Sequence, residues 1–475
     1  MKNVLCFLLV LYSFHFEILA QTEKSNHLVS ISSVEISGNI KTKDAVVLRE
    51  LRFKEGGSYP KAHLEEVLIP QSENNLKNLN LFNQIEIIQI EADRSISIKI
   101  EVIEKWYFWP IPFVEFSDRN FNQWWNLDFD PSRTNIGIYL FKYNAFGLNH
   151  QIKASFSTGY TKALGLNYEI PWLGKRKVYG LSAGFSQKKN EEVWLKTEDN
   201  RVQFFAQNGQ FSQTKTSGFI DLRIRPKTNF EQHVFALFND YKVADTVLHS
   251  SNNPNYLKGF GNKQQELLIG YQFVIVEARN NKLLPTNGEF IQATLSSSLN
   301  NINTSSFYSF FNFEMEASWY GKPAALKKLE RWSGAFAINI GSSFQNTRPY
   351  IQQRALGYSR NIRGYESYVI DGYGFVLSKA ELRFHTIKPQ TWNMKWVPVE
   401  SYKKMPIEHF ASVFIDAGKT ENATFSPTNT FINRWNIGYG IGYNVLLYFD
   451  KVFRFEYSWT QYGEGGLKIH FSKAL

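Results

Sequence analysis

The chain has 475 residues, with 53 Lys and Arg against 43 Asp and Glu, for a formal net charge of +10. Hydrophobic residues are 43% and aromatics 16%, which excludes a disordered chain, and a mean hydropathy of −0.32 excludes a multi-helix membrane protein. Apolar helix formers do not dominate, so a helical bundle is excluded too, leaving a large aromatic-rich β protein, soluble or in a membrane.

Lys2 precedes a mostly apolar run from Val4 to Leu19, and Ala20 stands before the polar Gln21-Thr22-Glu23-Lys24. Residues 1–20 therefore read as a secretory signal peptide. The chain's one cysteine, Cys6, lies inside it, so the mature chain offers no disulfide, thiol chemistry or Cys-based metal site. The best later apolar run, Leu267–Val276, has ten residues, short of the roughly 18 that a spanning helix needs. A mature chain that spans a membrane must do so as a closed β-barrel.

Residues 28–104 read as a small α+β domain of order β-α-α-β-β. Leu28 to Ser37 is a strand, Gly38-Asn39 a turn, and Thr42 caps a short helix through Leu51. Gly56-Gly57 stops that helix, and Pro60 opens a second. Gln84–Ile90 and the alternating Ile96, Ile98, Ile100 and Val102 are two further strands.

From residue 105 the period is two. Tyr179, Leu181, Ala183 and Phe185 alternate with Gly180, Ser182, Gly184 and Ser186; Phe453, Phe455, Tyr457 and Trp459 alternate with Arg454, Glu456, Ser458 and Thr460. An apolar face this rich in Phe, Tyr and Trp, opposite a small or charged face, fits a barrel with lipid outside and a wet lumen inside. Sixteen strands are expected, starting near 107, 136, 150, 163, 177, 216, 229, 265, 288, 307, 332, 374, 408, 435, 452 and 466, with room for another in 187–215. The longest connection, 345–373, joins strands eleven and twelve. The first strand carries Pro110 and Pro112, whose missing N–H groups point to one neighbour. If that neighbour is the last strand, the seam of the barrel is weak and opens sideways; if it is strand two, it does not.

Several motifs carry a family resemblance. Gly38-Asn39, Gly57 with Tyr59, Leu81-Phe82-x-x-Ile85-x-Ile87 and Val102-x-Glu104 resemble a POTRA domain, a periplasmic polypeptide-binding module. Arg279-Asn280-Asn281 with Pro285-Thr286-Asn287-Gly288, then Asn361-Ile362-Arg363-Gly364-Tyr365, Glu381-Leu382-Arg383-Phe384 and Phe414-Ile415-Asp416-Ala417-Gly418 resemble, in order, the marks of the BamA/TamA/Sam superfamily of outer-membrane insertases and translocators. Glu464-x-Gly466-x-x-Ile469-x-Phe471 is similar to the last-strand signal of outer-membrane barrels, with the departure that Ser472–Leu475 follow. The resemblance implies an all-β transmembrane barrel of about 16 antiparallel strands over 105–475, behind one POTRA-like domain over 28–104. Strand parity sends Glu381 and Asp416 into the lumen, and the resemblance implies that Arg363 pairs with both from a loop folded inwards, Gly364 and Tyr365 beside it. The seam would lie between Pro110, Pro112 and Gly466, Ile469, Phe471; the POTRA edge for substrate would carry Ile85 and Ile87.

Metalloprotease, phosphate-loop and nucleophile-elbow motifs are absent, and neither an enzyme nor a cofactor is expected. The leading expectation is an assembly or insertion factor in the outer membrane of a Gram-negative bacterium, its POTRA-like domain in the periplasm. Its partners would be unfolded outer-membrane proteins, accessory lipoproteins or periplasmic chaperones, and the lipid bilayer with lipopolysaccharide, to which the basic excess is suited; nucleic acid is not a partner. A polypeptide secretion pore and a passive surface or porin-like barrel remain the alternatives.

Overall fold

The computed structural model describes residues 27–471 except 93–94, 175, 208, 260, 278–283, 303, 324–328, 345–347, 394–403, 424 and 448–450. The expected signal peptide with Cys6, the Arg279-Asn280-Asn281 turn and the Ser472–Leu475 overhang lie outside the described residues. The chain divides into two units, 1–108 with 142–151, and 109–141 with 152–475.

In the first unit β1 (Leu28–Ser37), β2 (Ser58–Pro60), β3 (Phe82–Ala92) and β4 (Ser95–Glu104) form a sheet of order β2-β1-β4-β3. β1 and β4 run parallel, and the other pairs are antiparallel. The alternation in β4 has the expected consequence: Ile96, Ile98 and Ile100 are buried together with Leu64 and Leu76 of the covering helix. That helix runs from an α turn (Lys61–His63) through a π turn (Leu64–Leu68) into α2 (Ile69–Asn78); α1 (Asp44–Leu48) precedes it. β2 is an addition to the expected order, made because Ser58–Pro60 is extended beside Leu28–Ser30. Ile85 and Ile87 lie on β3, an edge strand, and pack against the core.

Thr42 does not cap α1. Lys43 holds the cap position without a side-chain bond. The Thr42 hydroxyl instead donates to the Glu104 carboxylate and accepts from the Asn144 amide at 2.8 Å, while the Lys41 and Thr42 N–H groups donate to the same carboxylate. A charged acceptor with three donors outcompetes one exposed cap.

The second unit is a sheet of sixteen strands. In chain order they are β5 (Phe108–Phe116), β6 (Thr134–Ala145), β7 (His150–Gly159), β8 (Thr161–Leu173), β9 (Tyr179–Asn190), β12 (Gln213–Lys227), β13 (Phe230–Val243), β14 (Lys263–Glu277), β15 (Gly288–Asn300), β16 (Tyr308–Gly321), β17 (Trp332–Ser343), β18 (Gly374–Asn393), β19 (Lys404–Glu421), β20 (Asn436–Leu447), β21 (Lys451–Thr460) and β22 (Gly465–His470). Each pairs with its neighbour in this order, which leaves β5 and β22 as the two ends. The stretch 187–215 adds no barrel strand. β10 (Glu192–Glu198) and β11 (Arg201–Ala206) form a separate hairpin, and β9 pairs directly with β12.

The faces alternate as period two demands. Val413 and Ile415 are 51% and 52% exposed, whereas Ser412, Phe414 and Asp416 between and beside them are buried. Ile441, Phe455 and Tyr457 face out; Asn444, Arg454, Glu456 and Ser458 face in. Apolar out and polar in is the pattern of a barrel in lipid. α3 (Phe121–Asn126), which follows β5, hydrogen-bonds β22, so the chain just beyond one end of the sheet meets the other end; no ladder joins β5 to β22 among the described residues.

Ile100→Ala removes a fully buried side chain from the first unit, at a cost of about 2–5 kcal/mol. Hydrogen exchange on the full chain is expected to speed up across residues 28–104 while the heat-modifiable gel mobility of the barrel is unchanged.

Candidate functional site

Residues 348–373, the described part of the connection between β17 and β18, fold against the polar face of the sheet. Its apolar residues Leu356, Ile362, Tyr365 and Ile370 form a buried cluster with Leu377, Phe431 and Ile432. Two glycines permit the approach. Gly364 has φ +96°, and a Cβ there would stand 3.0 Å from the Trp459 carbonyl oxygen on β21; a Cβ on Gly438 would stand 1.8 Å from the Arg363 carbonyl oxygen.

Arg363 is 2% exposed. Its Nε and Nη2 donate to Asp416 at 2.9 and 2.6 Å, its backbone N–H donates to the same carboxylate at 3.0 Å, and Nη1 donates to Glu381 at 2.7 Å. The guanidinium carbon lies 3.8 Å from the Phe414 ring centroid. Burial alone would disfavour the charge on Arg363; the Asp416 and Glu381 carboxylates outweigh it and hold the pKa above its ordinary value. Tyr365 is buried against Phe431, and its hydroxyl donates to the Ile437 carbonyl.

The expected trio therefore meets, and it sits in a wider network that the sequence reading did not assemble. Arg383 donates to Glu381 at 2.8 Å and to the Pro285 carbonyl at 2.7 Å, which ties the Pro-Thr-x-Gly turn to the same cluster. Glu456 lies 3.7 Å from Arg363 and accepts from Arg454 at 2.6 Å. Parity had already put Arg454 and Glu456 on the luminal face; nothing in the sequence said which luminal charges converge.

At the seam, the Tyr107 carbonyl accepts from the Tyr143 N–H at 2.8 Å, and the Ser117 N–H donates to the Arg133 carbonyl at 2.9 Å. Residues 107 and 117 thus face β6, and by alternation the nitrogens of Pro110 and Pro112 face the other side, away from strand two. Gly466 and Ile469 lie on β22, and Phe471 follows it with its ring 5.3 Å from those of Phe121 and Phe453. Asn122, which the sequence did not single out, bonds the backbone of Ile469.

A family model described as "Omp85 superfamily domain" matches residues 144–472, and "Surface antigen variable number repeat", the POTRA model, matches 29–105. The chain belongs to the Omp85 superfamily. No curated protein matches it. Among solved structures it is similar to BamA from Haemophilus ducreyi lacking POTRA domains 1–3, with a TM-score of 0.65 and 14% identity over 93% of this chain and 83% of that one. It is also similar to CdiB from Escherichia coli, with a TM-score of 0.53 and 11% identity over 93% of this chain and 75% of that one. At such identities the likeness shows the fold: a surface-antigen barrel behind a single POTRA domain. Omp85 barrels are outer-membrane proteins with periplasmic POTRA domains; they handle protein substrates and act as transporters or insertases.

Removing Arg363 leaves the buried Asp416 carboxylate without its guanidinium, while Glu381 keeps Arg383. Arg363→Ala is expected to cost about 3–5 kcal/mol, read as a lower temperature at which the folded gel band is lost. Adding Asp416→Asn, which removes the carboxylate left without its guanidinium, is expected to restore part of that loss.

Proposed function

We propose that this Omp85 protein is an outer-membrane assembly and insertion factor of the BamA/TamA type. On this reading residues 1–20 are a removed signal peptide, 28–104 a periplasmic domain that receives substrate strands along the β3 edge, and 105–475 the barrel. The observation that carries it is the seam. β5 and β22 are the ends of the sheet, and two prolines on β5 turn toward the open side. A sheet edge is a template for another strand. The competing reading is a secretion pore, through whose lumen a polypeptide passes. The inward loop pinned by Arg363 stands in that path, which favours the sideways route.

The test uses the full chain in liposomes and follows the folding of an urea-unfolded outer-membrane barrel by gel shift. The rings of Phe121 and Phe471 are 5.3 Å apart, so a Phe121→Cys/Phe471→Cys pair is within reach of a short, reducible bis-methanethiosulfonate linker that ties α3 to the end of β22. Accelerated folding that disappears on cross-linking and returns on reduction is the expected result. Equal rates with and without the protein would overturn the insertion reading.

A further inference from the structure

Asn122 is 3% exposed, and its side chain is aimed at one residue of the last strand. The Ile469 N–H donates to Asn122 Oδ1 at 2.8 Å, and Asn122 Nδ2 donates to the Ile469 carbonyl at 3.1 Å. A carboxamide carries the same donor and acceptor as a peptide group. This reciprocal pair is therefore what a neighbouring strand would offer at that position. The side of β22 that faces away from β21 is occupied here by a side chain.

The helix that presents Asn122 is built into the same junction. Phe121 packs edge-on against Phe471 and Trp124 stacks on Phe116 at 4.1 Å, so α3 touches residues beside both ends of the sheet. The preceding residues hold the luminal loop: Arg119 donates to the carbonyls of Gly357 and Tyr368, and Asn120 to that of Glu366 at 3.1 Å. Asn126 donates to the Ser367 hydroxyl at 2.8 Å.

We propose that Asn122 is a strand-mimicking latch, which keeps the β22 edge filled at rest and is exchanged there for the backbone of an extended client strand. The exchange conserves hydrogen bonds, because a peptide from the client replaces the donor and the acceptor that Asn122 withdraws. The ties of Arg119 and Asn120 to the luminal loop couple that withdrawal to the loop. The client's part of this proposal rests on the assembly reading; the latch does not.

The test is residue-resolved hydrogen exchange on the full chain in liposomes, without client. Asn122→Ala is expected to speed exchange at the Ile469 amide about tenfold, and Phe121→Ala, which removes a ring but keeps the carboxamide, to change it much less. Asn122→Leu keeps about the size and removes both the acceptor and the donor, and the same acceleration is expected; it serves if the alanine variant does not fold. Unchanged exchange at Ile469 in a folded variant overturns the latch. In a second arm the urea-unfolded barrel is added. Faster early insertion by Asn122→Ala than by the unaltered chain supports the exchange with client. Insertion by the unaltered chain with no gain in the variant overturns that exchange. Faster hydrogen exchange with no insertion by either protein leaves the latch standing and removes the assembly reading.

Discussion

A sheet in lipid has only its own chain to satisfy its backbone N–H and C=O groups, and this one constraint organises the second unit. Fourteen of the sixteen strands have a neighbour on each side, so the constraint reduces to the two that end the sheet. The chain treats those two unequally. β5 lowers its demand by placing prolines where an outward N–H would stand, and β22 keeps its donor and acceptor at Ile469 and fills them with the Asn122 amide. One edge needs little and the other is satisfied by a group that can leave.

The Arg363 cluster answers a different constraint. A loop of about thirty residues inside a barrel pays heavily in conformational entropy unless it is fixed at a point. Arg363 supplies that point through a planar guanidinium shared between carboxylates on β18 and β19, with Gly364 and Gly438 permitting the backbone to come up to β20 and β21. A buried ion pair need not add net stability over an apolar replacement, but breaking it from one side is costly, so the loop is held where the pair is complete. What is held is the loop's position against the strands that lead to β22. The same loop receives Arg119 and Asn120, so lock and latch share one element.

Much of this was legible because period-two alternation survives translation into structure. The strands expected at 150, 288, 332 and 374 begin at those residues, since lipid outside and water inside punish any slip of register. Arg363, Glu381 and Asp416 were legible from motif and parity. The rest depended on contacts between distant segments. Ser58–Pro60 has no strand pattern of its own and becomes one only beside β1; Thr42 looks like a cap until Glu104 is brought to it. The β10–β11 hairpin was invisible as such because Val193 and Leu195 bury against Val247, Tyr256 and Tyr350, not against lipid. Asn122 sits in Phe-Asn-Gln-Trp-Trp, where nothing local distinguishes an amide that will meet a strand from one that will meet water.

The two devices also differ in what it takes to undo them, and that difference bears on the route of a substrate. Withdrawing Arg363 takes the guanidinium from the buried Asp416 carboxylate, a loss that no passing polypeptide backbone repairs, since peptide groups carry no net charge. Withdrawing Asn122 strands one donor and one acceptor, and any extended peptide repairs both. Opening through the lumen therefore works against buried charge-assisted contacts, whereas opening at the seam would exchange like for like. On the proposed assembly reading, a polypeptide client would arrive with the replacement for the latch and without a replacement for the lock, so its least costly path would lead between β5 and β22.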